Sequence, residues 1–116
     1  MPSWVVGPVE DEPEVVLLAW SVFEVPVGND TRRTTRHFVG LTPELKHVRV
    51  SSPVRTFDPA GRRGRTRSGR VYELRGRPGA DADARYVWAS WRAMNHVQRE
   101  WDVTAEVFFE MEEAAG

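Results

Sequence analysis

Arginine side chains crowd a short segment in the middle of this sequence, on both sides of the dipeptide Ser68-Gly69. Arginine makes planar, two-pronged contacts with phosphate and carboxylate groups, so such a cluster is typical of an anion-binding surface. If Ser68-Gly69 is a two-residue turn, the segment is a β-hairpin in which Arg67 lies opposite Arg70. Like charges opposed across two strands destabilise a hairpin, which therefore needs acids from elsewhere or an external anion. The candidate residues for contact with an anion or a nucleic acid are Arg62, Arg63, Arg65, Arg67, Arg70 and Tyr72.

The same turn predicts which other side chains share a side of this hairpin. On the side of Arg67, it places Arg65 opposite Tyr72 and Arg63 opposite Leu74. An exposed ring among arginines is suited to stacking on a nucleic-acid base, and Tyr72 or His37 could supply it.

Three interpretations of these arginines stay open at this stage. Acids of the N-terminal arm, or Glu106 and Glu110, could neutralise them within the fold or across a dimer. Alternatively, the hairpin could enter a nucleic-acid groove or follow a phosphate backbone, which predicts steep salt dependence. Recognition of an acidic protein partner is the third. Fifteen of the sixteen basic residues are arginine, a bias that either a GC-rich genome or selection for bidentate contacts explains.

The net charge of −1 conceals a segregation of charge along the chain. Residues 1–30 carry six acids and no base, and residues 31–77 carry thirteen bases and three acids. Residues 78–116 carry three bases and eight acids. We therefore expect separate positive and negative patches on the folded surface, which would favour partners of opposite charge.

The acidic C-terminal segment is a second candidate surface. Its carboxylates are those of Glu106, Glu110, Glu112 and Glu113, and Phe108 lies among them. Such a face could occupy a cationic groove on a partner and imitate nucleic acid electrostatically. A frayed acidic tail is the alternative explanation. The candidate residues for a partner interface are Trp4, Trp101, Phe108, Glu106 and Glu110.

Residue types that support catalysis or metal binding are sparse in this chain. There is no cysteine, and the three histidines are scattered along the sequence. His96 and Glu100 have helical spacing but supply only two metal ligands. The glycines near the arginine cluster lack the following Lys-Ser/Thr of a phosphate-binding loop. We therefore predict no catalytic residue, no metal and no cofactor, and we expect a protein that is not an enzyme.

The elements that must position these residues begin with a sheet. We predict an N-terminal arm over residues 1–13 with at most a short strand over 4–6, and a central strand over 14–25 covered on both faces. A turn at 28–30, strands over 36–41 and 45–57, and the arginine hairpin then form an antiparallel meander.

A helix should follow this meander. Asp81 is a suitable N-cap for a helix over residues 82–99, which would pack on the sheet through Trp88 and Trp91. Alternation of apolar residues predicts a closing strand over 102–111 and a frayed acidic tail over 112–116. The predicted fold class is α+β, an antiparallel sheet of about five strands with one long amphipathic helix packed on it.

Part of the sequence resembles a known group of proteins. The stretch Thr66 to Leu74, followed by Pro78-Gly79 and by Tyr86-Val87-Trp88, is similar to a core found in small uncharacterised bacterial proteins, some from phages or other mobile elements. The resemblance implies no functional residue. By analogy, it suggests a small charged protein that inhibits a host nucleic-acid-handling complex.

Length and composition complete these expectations. A chain of 116 residues with 41% apolar content predicts a single domain that folds alone or as an oligomer, and a homodimer is a reasonable expectation. No segment suggests secretion or membrane insertion, so we expect a cytoplasmic location. The favoured function is a non-catalytic interaction protein with a protein partner, and direct nucleic-acid binding is the alternative.

Overall fold

The computed structural model describes residues 9, 12–28, 30–43 and 47–116. In this part of the chain, seven strands form a mixed sheet and two helices pack against it. The strands are β1 (Glu14–Val27), β2 (Asp30–Leu41), β3 (Val48–Val50), β4 (Val54–Asp58), β5 (Arg63–Thr66), β6 (Val71–Leu74) and β7 (Trp101–Asp102). The helices are α1 (Ala82–Met94) and α2 (Thr104–Ala115).

Strand β1 organises the sheet because its two halves pair with different neighbours. The first half runs parallel to β6, with Glu14 opposite Val71, and the second half runs antiparallel to β2. The pairing with β2 is interrupted between Leu18 and Ser21, next to Ala19, whose φ of 46° lies in the left-handed region. Such an irregularity bends a strand, which lets β1 serve both parts of the sheet.

The remaining strands connect these two parts. The order across the sheet is β3-β2-β1-β6-β5-β4, and β7 adds to β1. Only residues 51–53 separate β3 from β4, so one interrupted strand pairs with β2 at its start and with β5 at its end. With β3 and β4 counted as one interrupted strand, the chain forms five successive strands from β1 to β6, each antiparallel to the one before it. The fifth, β6, therefore runs in the same direction as β1 and pairs with it in parallel.

The predicted sheet was therefore partly wrong. The hairpin of β1 and β2 and the α+β class are confirmed, but the sheet is neither purely antiparallel nor limited to five strands. The arm predicted over residues 1–13, with its short strand over 4–6, lies almost entirely outside the described residues.

Apolar side chains on the two faces of β1 and β2 form two separate clusters. The first lies inside the curved sheet under α2, and Trp20 and Tyr72 are its largest buried members. The second lies between the sheet and α1, with Trp88 and Val39 buried and Trp91 partly covered. Each helix thus covers a different face, as alternation of neighbouring strand residues requires.

Helix α1 begins where the sequence predicted. The carboxylate of Asp81 accepts hydrogen bonds from the backbone N–H groups of Asp83 and Ala84, at 2.9 and 3.1 Å. The helix ends at Met94 rather than at the predicted residue 99. His96 there adopts a left-handed backbone with φ of 56°, which terminates a helix.

The C-terminal segment folds as a helix and not as the predicted strand over 102–111. Residues Val103, Val107 and Met111 recur every four positions and are buried, which is the pattern of a helical face. Residues 112–115, for which we predicted a frayed tail, belong to the last turn of α2. Neither helix of the described chain has the length and hydropathy needed to cross a membrane.

Candidate functional site

The arginine hairpin has a different register from the predicted one. Gly64 lies opposite Tyr72, and Arg65 lies opposite Val71. The backbone N–H of Gly69 donates to the carbonyl of Thr66 at 2.9 Å, so the connection contains three residues, with Gly69 left-handed at φ 92°. A shift of one residue sends alternate side chains to the other face.

This register removes Tyr72 from the surface. Tyr72 is only 2% exposed and packs near Phe38, with ring centroids 5.9 Å apart. It cannot stack on a ligand at the arginine surface, contrary to our prediction. His37 is also 2% exposed, and its Nδ1 and Nε2 lie 2.8 Å from the Ser51 carbonyl oxygen and the Thr35 hydroxyl oxygen. Burial lowers the pKa of His37, so the ring is a neutral part of the interior.

Arg63 and Arg62 each make two polar contacts with groups of the chain itself. Arg63 of β5 reaches Glu73 on the adjacent strand β6 at 3.4 Å and Glu14 on β1, one strand further, at 3.1 Å. Arg62 donates from Nε to the Leu74 carbonyl at 2.8 Å and from Nη2 to the carbonyl of Gly76. These contacts hold the two side chains against the fold.

The other three hairpin arginines divide by exposure. Arg70 is buried, and its Nε donates to the Glu12 carbonyl at 2.8 Å. Arg65 is exposed and donates to the Gly69 carbonyl at 3.0 Å. Arg67 is also exposed. Neither Arg65 nor Arg67 forms a salt bridge with a described carboxylate. Of the predicted cluster, these two are therefore the exposed guanidinium groups that no described carboxylate neutralises.

Described acids of the N-terminal third pair with four of the thirteen central bases. The resulting ion pairs are Arg32 with Asp30 at 3.1 Å, Arg36 with Glu24 at 2.9 Å, Arg63 with Glu14 at 3.1 Å, and Arg49 with Glu12. The second follows directly from the β1–β2 hairpin, which places Glu24 opposite Arg36. The predicted separation of charge is therefore reduced in this part of the molecule.

The acids of the C-terminal third remain concentrated on one surface. We define the acidic face of α2 as Glu106, Phe109, Glu110 and Glu113, which have helical spacing and are all exposed. Within the described residues, the only salt bridge of this face joins Glu106 to Arg36, whose Nη2 lies 4.0 Å from the carboxylate. The sequence predicted Glu106 and Glu110 as interface residues, and the helix brings them together with Glu113.

The arrangement of charge in α2 is unfavourable for the helix itself. Glu106 and Glu110 are four residues apart, and Glu110 and Glu113 are three apart, so like charges are neighbours on the helix surface. The last turn contains no basic residue. Carboxylates there face the negative end of the helix dipole. Glu110 and Glu113 therefore do not serve the stability of α2, whereas Glu106 in the first turn is favourable to the helix dipole.

An aromatic ring is exposed in the middle of the acidic face. Phe109 has 64% of its surface exposed, whereas the predicted interface residue Phe108 is half-buried and packs edge-on against Trp20 at 6.1 Å. The helical period explains why Phe109 and not Phe108 is exposed, because Phe108 turns toward the sheet. Trp101 is 40% exposed on β7, and Trp4 lies outside the described residues. A helical prediction for 104–115 would have identified Phe109.

Comparisons with known proteins add no relative to this picture. No family model, no curated protein and no solved structure matches the chain.

Proposed function

We propose that this chain is a non-catalytic interaction protein whose acidic face of α2 binds a basic surface on a partner protein. The observation that carries this proposal is Phe109, exposed among Glu106, Glu110 and Glu113 on a helix whose last turns Glu110 and Glu113 destabilise. Local rules of stability are most often broken at functional positions, where another gain offsets the cost.

The chemistry of such a contact follows from these side chains. Phe109 would enter an apolar depression and supply most of the contact area, as aromatic anchors do in interfaces. The surrounding carboxylates would pair with arginines or lysines of the partner, which speeds association and fixes the orientation. Because α2 is already folded against the sheet, little conformational entropy is lost on binding.

The partner of this chemistry is a protein with a cationic groove. Proteins that handle nucleic acids present such grooves to the phosphate backbone. A helix with carboxylates on successive turns can occupy the same groove and exclude the nucleic acid. We therefore propose inhibition of a nucleic-acid-handling complex as the role of this contact.

Site-specific crosslinking tests this proposal even when the partner is unidentified. A photoreactive phenylalanine analogue at position 109 is compared with the same analogue at position 94, because Phe109 and Met94 are both 64% exposed on helices. We expect a specific adduct from position 109 in the source cells. The adduct should be lost in E110K/E113K and in the presence of excess duplex DNA. Equal adducts from both positions, or an adduct insensitive to E110K/E113K, would contradict the proposal.

Direct nucleic-acid binding through Arg65 and Arg67 is the second candidate function. It is favoured by the exposure of both guanidinium groups and by their lack of a salt bridge within the described chain. The test is a mobility-shift titration of wild type, R65Q/R67Q and the control R85Q at several salt concentrations. Loss of two phosphate contacts should reduce the salt slope by about 1.8 for duplex DNA. Unchanged binding by R65Q/R67Q would remove this function.

A further inference from the structure

The strand pairing at the tip of the β1–β2 hairpin is irregular. Pro26 lies opposite Thr34 and Val27 lies opposite Asp30, so three residues of β2 intervene where β1 has none. These three are Thr31, Arg32 and Arg33. Bulges of this kind redirect side chains and are over-represented next to functional sites.

The bulge faces the segment that connects α1 to β7. Because β7 runs antiparallel to β1, this connection passes along the hairpin tip. A half-open pocket of about 220 Å³ lies between the two segments. The described residues that line it are Pro26, Gly28, Thr31, His96, Gln98 and Arg99.

The polar side chains of this pocket are all able to donate hydrogen bonds. Thr31 offers a hydroxyl, Gln98 an amide and Arg99 a guanidinium group, and His96 offers an imidazole N–H. No carboxylate is found among the described lining residues. The nearby Asp30 is already engaged, because its Oδ1 accepts from the Nε and the backbone N–H of Arg32. The pocket therefore offers hydrogen-bond donors and positive charge, and none of its described lining residues supplies a carboxylate to pair with them.

The backbone of His96 gives independent support. His96 is the left-handed residue that ends α1, with hydrogen bonds from its N–H to Ala93 at 3.3 Å and from Val97 to Arg92 at 2.9 Å. Glycine is the favoured residue in this helix-ending motif because it adopts the left-handed conformation without strain. The chain instead carries an imidazole here, at the edge of a pocket lined by donors.

We propose that this pocket binds a phosphate group, with Thr31, His96, Gln98 and Arg99 as its ligands. A phosphate has several acceptor oxygens, which match convergent donors, and its charge is compensated by Arg99. Arg33, in the same bulge, is exposed and adds to the positive field around the pocket. The phosphate belongs either to a small phosphorylated compound or to the backbone of a nucleic acid. This site shares no described lining residue with the acidic face of α2 and does not depend on the function proposed for it.

Histidine NMR provides a direct test, because the chain has only three histidines. Inorganic phosphate is titrated into the full chain at constant ionic strength, with chloride as the reference salt. We expect saturable shifts of the His96 ring signals, whereas the exposed His47 serves as an internal control. In R99Q, the response of His96 should be lost or weakened at least fivefold. The control R85Q, which removes an exposed arginine of α1, should respond as wild type does.

The two sources of phosphate are distinguished by two further titrations, with a nucleoside monophosphate and with a single-stranded oligonucleotide. Tighter binding of the monophosphate indicates a small ligand, and tighter binding of the oligonucleotide indicates a nucleic-acid backbone; each result supports the site. Equal shifts of His96 and His47, or full retention of the His96 response in R99Q, would overturn it.

Discussion

Replacement of Glu113 by lysine should stabilise the fold while it weakens the proposed contact of α2. The side chain lies in the last turn of the helix, where the structure has no basic residue. A negative charge there opposes the helix dipole, and it is three residues from Glu110, another acid. Lysine reverses both interactions. The same substitution in the first turn, E106K, should have the opposite sign because an acid is favourable at that end.

The size of this effect follows from exposed helix positions in general. The dipole interaction of one charge contributes about 0.3–1 kcal/mol, and a change from a like to an opposite pair contributes about 0.4–1 kcal/mol. Solvent screening of an exposed side chain reduces the sum, so we expect a gain of about 0.5–1.5 kcal/mol in the free energy of unfolding. E113Q, which only removes the negative charge, should give about half of this gain.

Urea unfolding followed by circular dichroism measures these differences at low and high salt. The gain in E113K should shrink at about 1 M NaCl because charge interactions at the surface are screened. E106K should be less stable than wild type at low salt, in part because it also loses its contact with Arg36 at 4.0 Å. If E113K is less stable than wild type, or if both variants shift in the same direction, the electrostatic account of α2 is refuted.

Three further predictions concern the interior. G64A should lower stability by about 1–3 kcal/mol in urea unfolding, because a Cβ there would lie 2.5 Å from Cζ of Phe38. E100A should cost about 1–3 kcal/mol, and E100Q less, because Glu100 accepts from Trp88 Nε1 at 3.0 Å and from Arg92 at 2.7 Å. Burial lowers the pKa of His37, so stability should fall as pH drops below about 6.5, where the unfolded chain takes up the proton first. H37Q should show a flatter dependence between about pH 7.5 and 5.5, and an equal slope would contradict this assignment.

The elements with strong local signals could be predicted from the sequence. The apolar run of β1 and the following turn identify the first hairpin, and Asp81 identifies the start of α1 through its short side chain and the acid at Asp83. The parallel pairing of β1 with β6 could not be predicted this way. It depends on how many strands the chain forms before it returns to β1, which no local pattern encodes.

The register of the arginine hairpin was missed for a specific reason. The prediction limits the turn to Ser68-Gly69, whereas Arg67 is also part of the loop. Glycine at the left-handed third position is a known alternative for such loops. A test of burial would have selected it, because this register places Gly64 and Tyr72 on the inner face, where Gly64 leaves room for Phe38.

The C-terminal helix was missed because two periods coexist in its sequence. Val103, Val107 and Met111 fit both a strand with alternating residues and a helix with a repeat of four. The glutamates and alanines between them favour a helix by intrinsic propensity, which the strand prediction ignored. The error affected the candidate site directly, because a strand exposes Phe108 and a helix exposes Phe109.

The distribution of charge along the chain overstates the separation of charge on the folded surface, and the fold explains why. A hairpin places the residues just before its turn opposite those just after it, so the acids of residues 1–30 meet the bases that follow. Glu24 opposite Arg36 is a direct consequence of this pairing. Glu14 reaches Arg63 of β5 by another route, through the parallel pairing of β1 with β6. The acids after residue 100 come later in the chain than every strand of the meander, and α2 packs through its apolar residues. Their carboxylates therefore have no paired strand to face, and the surplus negative charge of the sequence collects on α2.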